Sequence, residues 1–135
     1  MTGVQTCALP ILLVGLAGVA LVIGGIGIAN TMIVSVLERR SEIGLRRALG
    51  ATRGQVRVQF VSEAVLLSLL GGVTGAVCGT AVTAVYSQTR GWPVVVPLWV
   101  SVAGVGVTAL IGAVSGFYPA MRASRISPTS ALATS

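Results

Sequence analysis

Arginines dominate the residues of this chain that could do chemistry. Its 135 residues include nine arginines and three glutamates, but no histidine, aspartate or lysine. Without histidine the chain lacks the commonest general base and metal ligand, and without lysine it cannot form a phosphate-binding P-loop. Cys78 lies in an apolar run, where a thiol is most simply a small hydrophobe, and with Cys7 it suggests neither a disulfide scaffold nor a metal site. The sequence therefore predicts no catalytic residue, metal site or cofactor, and it leaves ion pairing as the main polar chemistry.

The charged residues are concentrated in residues 38–57. Six of the nine arginines and two of the three glutamates lie there, which gives the segment a net charge of +4. Such side chains can orient a soluble partner through ion pairs, each of modest strength where exposed. Alternatively, they fix the orientation of a membrane protein and attract anionic lipid, at about 1 kcal/mol per charge. The residues alone leave both roles open.

Long apolar runs on both sides of this segment place the chain in the membrane class. Hydrophobic residues make up 54% of the chain and charged residues only 9%, where a soluble domain carries roughly a quarter. Three runs can cross a hydrocarbon core of about 30 Å as helices: residues 11–37, 58–86 and 98–118. We therefore expect an all-α, polytopic membrane helix bundle of three transmembrane helices with a short helix in residues 38–57. Nucleic-acid binding is not expected, because the arginines lie beside apolar spans rather than over a broad face.

Local signals predict the shape of residues 38–57. Leu45, Ala48 and Leu49 recur at helical spacing and form a short apolar stripe, with arginines on the other sides. Gly50 stands where the glycine after a helix end is usual. Thr52, with a glutamine three residues later, fits a capping box. The pattern predicts a surface helix ending near Leu49, a tight turn, and a new helix that starts at Thr52 and enters the membrane.

Glycines at four-residue spacing indicate where helices could pack closely in lipid. These positions are Gly71, Gly75, Gly79, Gly112 and Gly116. A structural module that assembles through such contacts, without transporting anything, is the alternative function that they support. A third possibility, an intramembrane enzyme, has no nucleophile–base pair behind it.

Glu63 is the one ionised residue inside a predicted span. It lies about 9 Å along the helix axis from Arg57, which is shallow enough for its carboxylate to reach the surface or an arginine of residues 38–57. A role in coupling is the alternative.

The distribution of arginines predicts the orientation of the chain. Residues 38–57 and the tail, residues 119–135, carry the excess of positive charge, which favours the cytoplasmic side. The N-terminus and residues 87–96 would then lie outside. Residues 1–10 read as a non-native or disordered leader, and residues 11–135 as one membrane domain. Three spans with an outer N-terminus also lead us to expect a further span upstream.

Two sequence motifs stand out, one in residues 38–57 and one in the tail. The first reads Glu38-Arg39-x-x-Glu42-Ile43-Gly44-x-x-Arg47-Ala48-Leu49-Gly50-Ala51. The second reads Tyr118-Pro119-Ala120-x-x-Ala123-Ser124-x-x-x-Pro128-x-x-Ala131-Leu132. From about residue 11 onward, the chain resembles the C-terminal part of FtsX-like, MacB-type permeases of ABC transporters.

The resemblance implies a permease subunit of the bacterial plasma (inner) membrane that works with an ABC ATPase subunit or domain. In that family each permease has four membrane helices, with a large extracytoplasmic domain between the first and second. Two permeases assemble with two ATPase domains, so a second permease copy and membrane lipids are the other expected partners. The three spans here would correspond to the family's second, third and fourth helices. Coupling to the ATPase would fall on the first motif: Glu38, Arg39, Glu42, Ile43, Gly44, Leu45, Arg47, Ala48, Leu49, Gly50 and Ala51. MacB-type relatives are linked to macrolide or peptide export, lipoprotein release and cell-division signalling, and the resemblance does not choose among them.

Overall fold

The computed structural model describes residues 2–127 together with Thr129 and Ala133, and this part of the chain contains four helices and no strand. The helices are α1 (Thr2–Glu38), α2 (Arg40–Ala48), α3 (Arg53–Arg90) and α4 (Leu98–Ser124). By length and composition α1, α3 and α4 can each cross a membrane. The expected all-α bundle of three long apolar helices and one short helix is confirmed.

The long helices extend beyond the predicted spans. α3 begins at Arg53 and ends at Arg90, while α4 continues through Pro119 to Ser124. Backbone hydrogen bonding continues into the polar flanks, since a helix ends where its caps stand rather than at the edge of the apolar run. The structure describes residues 119–127, Thr129 and Ala133 of the predicted tail. The rest of the tail lies outside the described residues.

α1 also starts earlier than the predicted span. Residues 2–10, expected to be a non-native or disordered leader, form the first turns of this helix, and Pro10 lies inside it. A proline removes one backbone donor, and apolar helices tolerate that loss where neighbouring groups compensate.

α4 lies between α1 and α3 and packs most extensively against α3. Small residues line this contact, with Ala64, Ser68 and Gly72 buried on α3 and Gly112 and Gly116 buried on α4. A methyl group built on Gly116 would overlap the Ala64 methyl, and one on Gly112 would lie 2.5 Å from the Ser68 Cβ. The two backbones are therefore as close as their side chains permit, as is typical of helix pairs in lipid.

Buried apolar side chains gather at the end of the bundle that carries α2. Every helix contributes to this α2-end core, which consists of Met32, Val36, Ile43, Val56, Phe60, Ala64, Ala120 and Ala123. Towards the other end, most large apolar side chains of the three long helices are exposed. α2 is thus fixed to the part of the bundle with the densest packing.

Candidate functional site

Two short breaks in the helical backbone shape the α2 segment, which we define as residues 38–57. A single non-helical residue, Arg39, separates α1 from α2. After α2, Gly50 adopts φ +103°, a backbone conformation that residues with a Cβ rarely adopt. Thr52 then caps α3, because its hydroxyl accepts from the Gln55 N–H while the Gln55 side chain accepts from the Thr52 N–H. The predicted turn and capping box are both confirmed.

One face of α2 is packed against the bundle. Ile43 is 5% exposed within the α2-end core, and Gly44 beside it is also buried. Arg46 donates from Nη2 to Glu42 Oε1 at 2.5 Å and from Nη1 to Gln59 Oε1 at 3.0 Å. The first bond lies within α2, and the second ties α2 to α3.

Arg47 and Arg57 connect this segment to the end of α4 and to the chain that follows it. The Arg47 Nη1 donates to the backbone carbonyl of Ile126, which lies 79 residues away in the sequence. The Arg57 Nη2 donates to Ser124 Oγ at 3.5 Å. The sequence motif gave Arg47 as a charged residue for ion pairing, but no local pattern could show that its partner is a distant carbonyl.

The opposite face of α2 is exposed and partly apolar. Leu45 is 53% exposed and Leu49 is 80% exposed, and Ala48 lies between them on the same face. A leucine this open at the end of a packed helix has no partner among the described residues of the chain. The face is therefore available for contact with another molecule.

The other residues of the first motif differ in exposure. Glu38, Arg39, Glu42 and Gly50 are exposed, whereas Ala51 is half-buried. Among the described residues the one ion pair is that between Glu42 and Arg46. Three charged residues of the segment, Glu38, Arg39 and Arg53, are thus exposed and have no ion pair with the described residues.

The five glycines chosen for helix packing divide into two groups. Gly112 and Gly116 lie in the α3–α4 contact. Gly71, Gly75 and Gly79 have no non-neighbouring heavy atom within 4 Å of where a Cβ would stand. α4 packs instead against a stripe of α3 that the glycine spacing did not predict, namely Ala64, Ser68 and Gly72. That stripe repeats every four residues with small side chains, and a search for small residues rather than glycines would have found it.

Other ionisable groups form no further cluster in the part of the chain that the structure describes. No group of three or more His, Cys, Asp or Glu side chains lies together in residues 2–127. Cys7 and Cys78 are both exposed. Glu63 is half-buried, and no arginine of the described segment lies within ion-pair distance of it.

Three long apolar helices with a short charged helix between two of them are typical of an integral membrane protein. The chain belongs to the FtsX-like permease C-terminal family, whose model matches residues 14–128. This confirms the resemblance carried by the two sequence motifs.

Named relatives agree with the family. The ABC transporter permease YknZ of Bacillus subtilis is 42% identical over 130 residues, which cover 96% of this chain and 33% of YknZ. A macrolide export ATP-binding/permease protein MacB from Syntrophobacter fumaroxidans is 46% identical over 121 residues, covering 90% of this chain and 17% of that protein. A MacB from Bdellovibrio bacteriovorus is 44% identical over 124 residues, covering 92% and 19%. The chain thus spans a third or less of the length of these relatives.

Proposed function

We propose that this chain is the membrane part of an ABC transporter permease in which α2 couples a partner ATPase to the membrane helices. The single observation that carries the proposal is the division of α2 into two faces. One face is built into the α2-end core through Ile43, and the other exposes Leu45 and Leu49. The relatives support the partner, because their names describe ABC transporter permeases and export ATP-binding/permease proteins.

Coupling requires that the docking face cannot move without the helices behind it. Ile43 packs in a core to which all four helices contribute. The bonds from Arg46 to Gln59 and from Arg47 to Ile126 add links to α3 and to the chain after α4. A displacement of α2 would therefore have to move these elements or disrupt a packed core, and packed cores resist continuous deformation.

Docking would use the exposed apolar face at its centre and charges at its rim. Burying a leucine side chain fully contributes about 1.5–3 kcal/mol, so Leu45 and Leu49 can supply most of the affinity. Glu38, Arg39 and Glu42 are exposed at the start of the segment and would orient the partner through ion pairs of modest strength. In this arrangement residues 38–57 and the C-terminus are cytoplasmic, and the movement drives export or a conformational change on the outer side.

The open glycine stripe of α3 favours assembly with a second permease copy. Gly71, Gly75 and Gly79 are four residues apart, and a Cβ at any of them would have no contact within 4 Å among the described residues. A helix from another copy could approach the α3 backbone there without a steric barrier. If this contact were the whole function, the chain would be a structural module, and that is the competing hypothesis.

Substitution of Leu49 tests the coupling hypothesis against the structural one. The chain is expressed in a bacterial membrane together with the ATP-binding subunit or domain of the same transporter, and the bound ATPase is measured after purification. Leu49→Arg should weaken binding about tenfold to a hundredfold, because it removes one buried leucine from the contact. Val95→Arg, a matched change at another exposed residue between α3 and α4, should leave binding unchanged.

The opposite pattern would support the structural module. In that case Gly75→Ile would abolish self-association, while Leu49→Arg would alter neither ATPase binding nor ATP-driven activity. Unchanged ATP-driven activity in Leu49→Arg would overturn the coupling hypothesis even if the ATPase still co-purified.

A further inference from the structure

Three arginines from two distant parts of the sequence meet at one cavity beside the α2 end of α1 and α4. The cavity has a volume of about 310 Å³ and is lined by Arg40, Arg122 and Arg125. Its apolar wall includes Val36, Leu37 and Ile126, and none of the described residues that line it is acidic. A basic pocket with one apolar side, at the end of membrane-spanning helices, is a typical place for a lipid headgroup.

The positive charge of this cavity is not neutralised by the described residues. The chain has three glutamates in all, and the ion pair found in the described part joins Glu42 to Arg46. Neither Arg40, Arg122 nor Arg125 donates a side-chain hydrogen bond to the residues described, in contrast to Arg47. Guanidinium groups that face one another without an anion repel, and a phosphate accepts hydrogen bonds from several of them at once.

A separate apolar groove lies farther along the contact between α1 and α4. It has a volume of about 300 Å³ and is lined by residues that include Ile26, Ala29 and Ile111. Ile26 precedes Leu37 by eleven residues, and Ile111 precedes Arg122 by the same number. Eleven residues make about three helical turns, so both cavities open on the same side of α1 and α4, about 16 Å apart along the axis.

This separation fits a lipid in one leaflet of the bilayer. Half of a bilayer, from its midplane through the headgroups, is about 20–22 Å thick. A phosphate at the arginines would thus place an acyl chain beside Ile26 and Ile111. No charged residue lines the groove itself, in agreement with an acyl chain as its occupant.

We propose that an anionic phospholipid binds between α1 and α4, with its phosphate held by Arg40, Arg122 and Arg125 and one acyl chain in the groove beside Ala29. This site does not include the exposed face of α2, so the proposal of lipid binding does not depend on the proposed function. The lipid would fill the space between the two helices and neutralise the cavity at the same time.

Native mass spectrometry of the 135-residue chain in detergent, with added dioleoyl phosphatidylglycerol, tests the site. We expect one bound lipid per chain and at least tenfold weaker binding of dioleoyl phosphatidylcholine. Each arginine near the surface contributes about 1 kcal/mol, or about fivefold, so the double variant R122Q/R125Q should bind phosphatidylglycerol about 25-fold more weakly. The double variant R53Q/R90Q removes the same charge elsewhere and should change binding less than threefold.

A groove variant separates the lipid from a free anion. Ala29→Phe fills the groove and should weaken phosphatidylglycerol binding while leaving the binding of glycerol 3-phosphate unchanged. Equal losses in the two double variants would show that only total charge matters and would overturn the proposal. Equal affinity for glycerol 3-phosphate and for the lipid would overturn it as well, since the site would then bind a free phosphate compound. Phosphatidylglycerol binding that is unchanged in Ala29→Phe would contradict the role of the groove. Equal binding of phosphatidylglycerol and phosphatidylcholine would contradict the role of the arginines.

Discussion

Moving one methyl group across the α3–α4 contact would test how closely these helices pack. In Gly116→Ala the new methyl overlaps that of Ala64. Both atoms belong to short, rigid side chains, so relief requires a shift of the backbones. Overpacking of this kind typically costs about 1–3 kcal/mol. The single variant should therefore unfold with an equilibrium constant about five- to 150-fold larger.

The double variant Gly116→Ala/Ala64→Gly should recover most of this loss. With the Ala64 methyl removed, the next atoms are the Cα of residue 64 and the Phe60 carbonyl oxygen, both at 3.9 Å, which is ordinary contact. Glycine in a helix costs about 0.5–1 kcal/mol relative to alanine. The double variant gains this free energy at position 116 and loses it at position 64, so the two contributions cancel. We expect stability within about 1 kcal/mol of the starting chain, and hence a coupling energy of about 1–3 kcal/mol between the two sites.

Equilibrium unfolding by SDS in mixed micelles, followed by tryptophan fluorescence, measures these differences. Gly104→Ala, also on α4, is the matched control, because a Cβ there meets nothing within 4 Å and should not destabilise the chain. Additive effects of the two substitutions, or a Gly116→Ala variant as stable as Gly104→Ala, would refute the close contact.

Two further substitutions test how the α2 segment is held. Arg47→Gln removes the bond to the Ile126 carbonyl, worth about 1.5 kcal/mol for a charged donor, and should speed tryptic cleavage after Arg125 about tenfold. Arg53→Gln should not change the cleavage rate. Faster cleavage in both variants would contradict this role for Arg47. Thr52→Ala removes the cap of α3 and should lower the free energy of unfolding by about 1 kcal/mol, whereas Thr52→Ser should retain the cap. An equal loss of stability in the serine and alanine variants would contradict the capping geometry.

Local signals in the sequence predicted the local structure well. Gly50 and the Thr52–Gln55 pair define the end of one helix and the start of the next within a few residues, so their chemistry is readable without tertiary contacts. The long apolar runs likewise predicted three helices, because no other backbone arrangement of that length satisfies its hydrogen bonds in lipid. The exposed leucines of α2 were also readable from their spacing.

Contacts between distant residues could not be read in the same way. Gly71, Gly75 and Gly79 have the stronger motif, yet α4 packs one position over, on the stripe that contains Gly72. Both stripes of α3 carry side chains small enough for another helix to approach closely. Which of the two contacts α4 depends on the side chains of α4. The bond from Arg47 to Ile126 is hidden for the same reason, since nothing near either residue specifies the other.

The bond between Arg47 and Ile126 turns α3, α4 and their connection into a closed ring of chain. Both helices of this hairpin are attached to α2 at the same end, α3 through the capped turn at Thr52 and α4 through the Ile126 carbonyl. A force on α2 is therefore transmitted to both helices, which would tilt together rather than slide past each other.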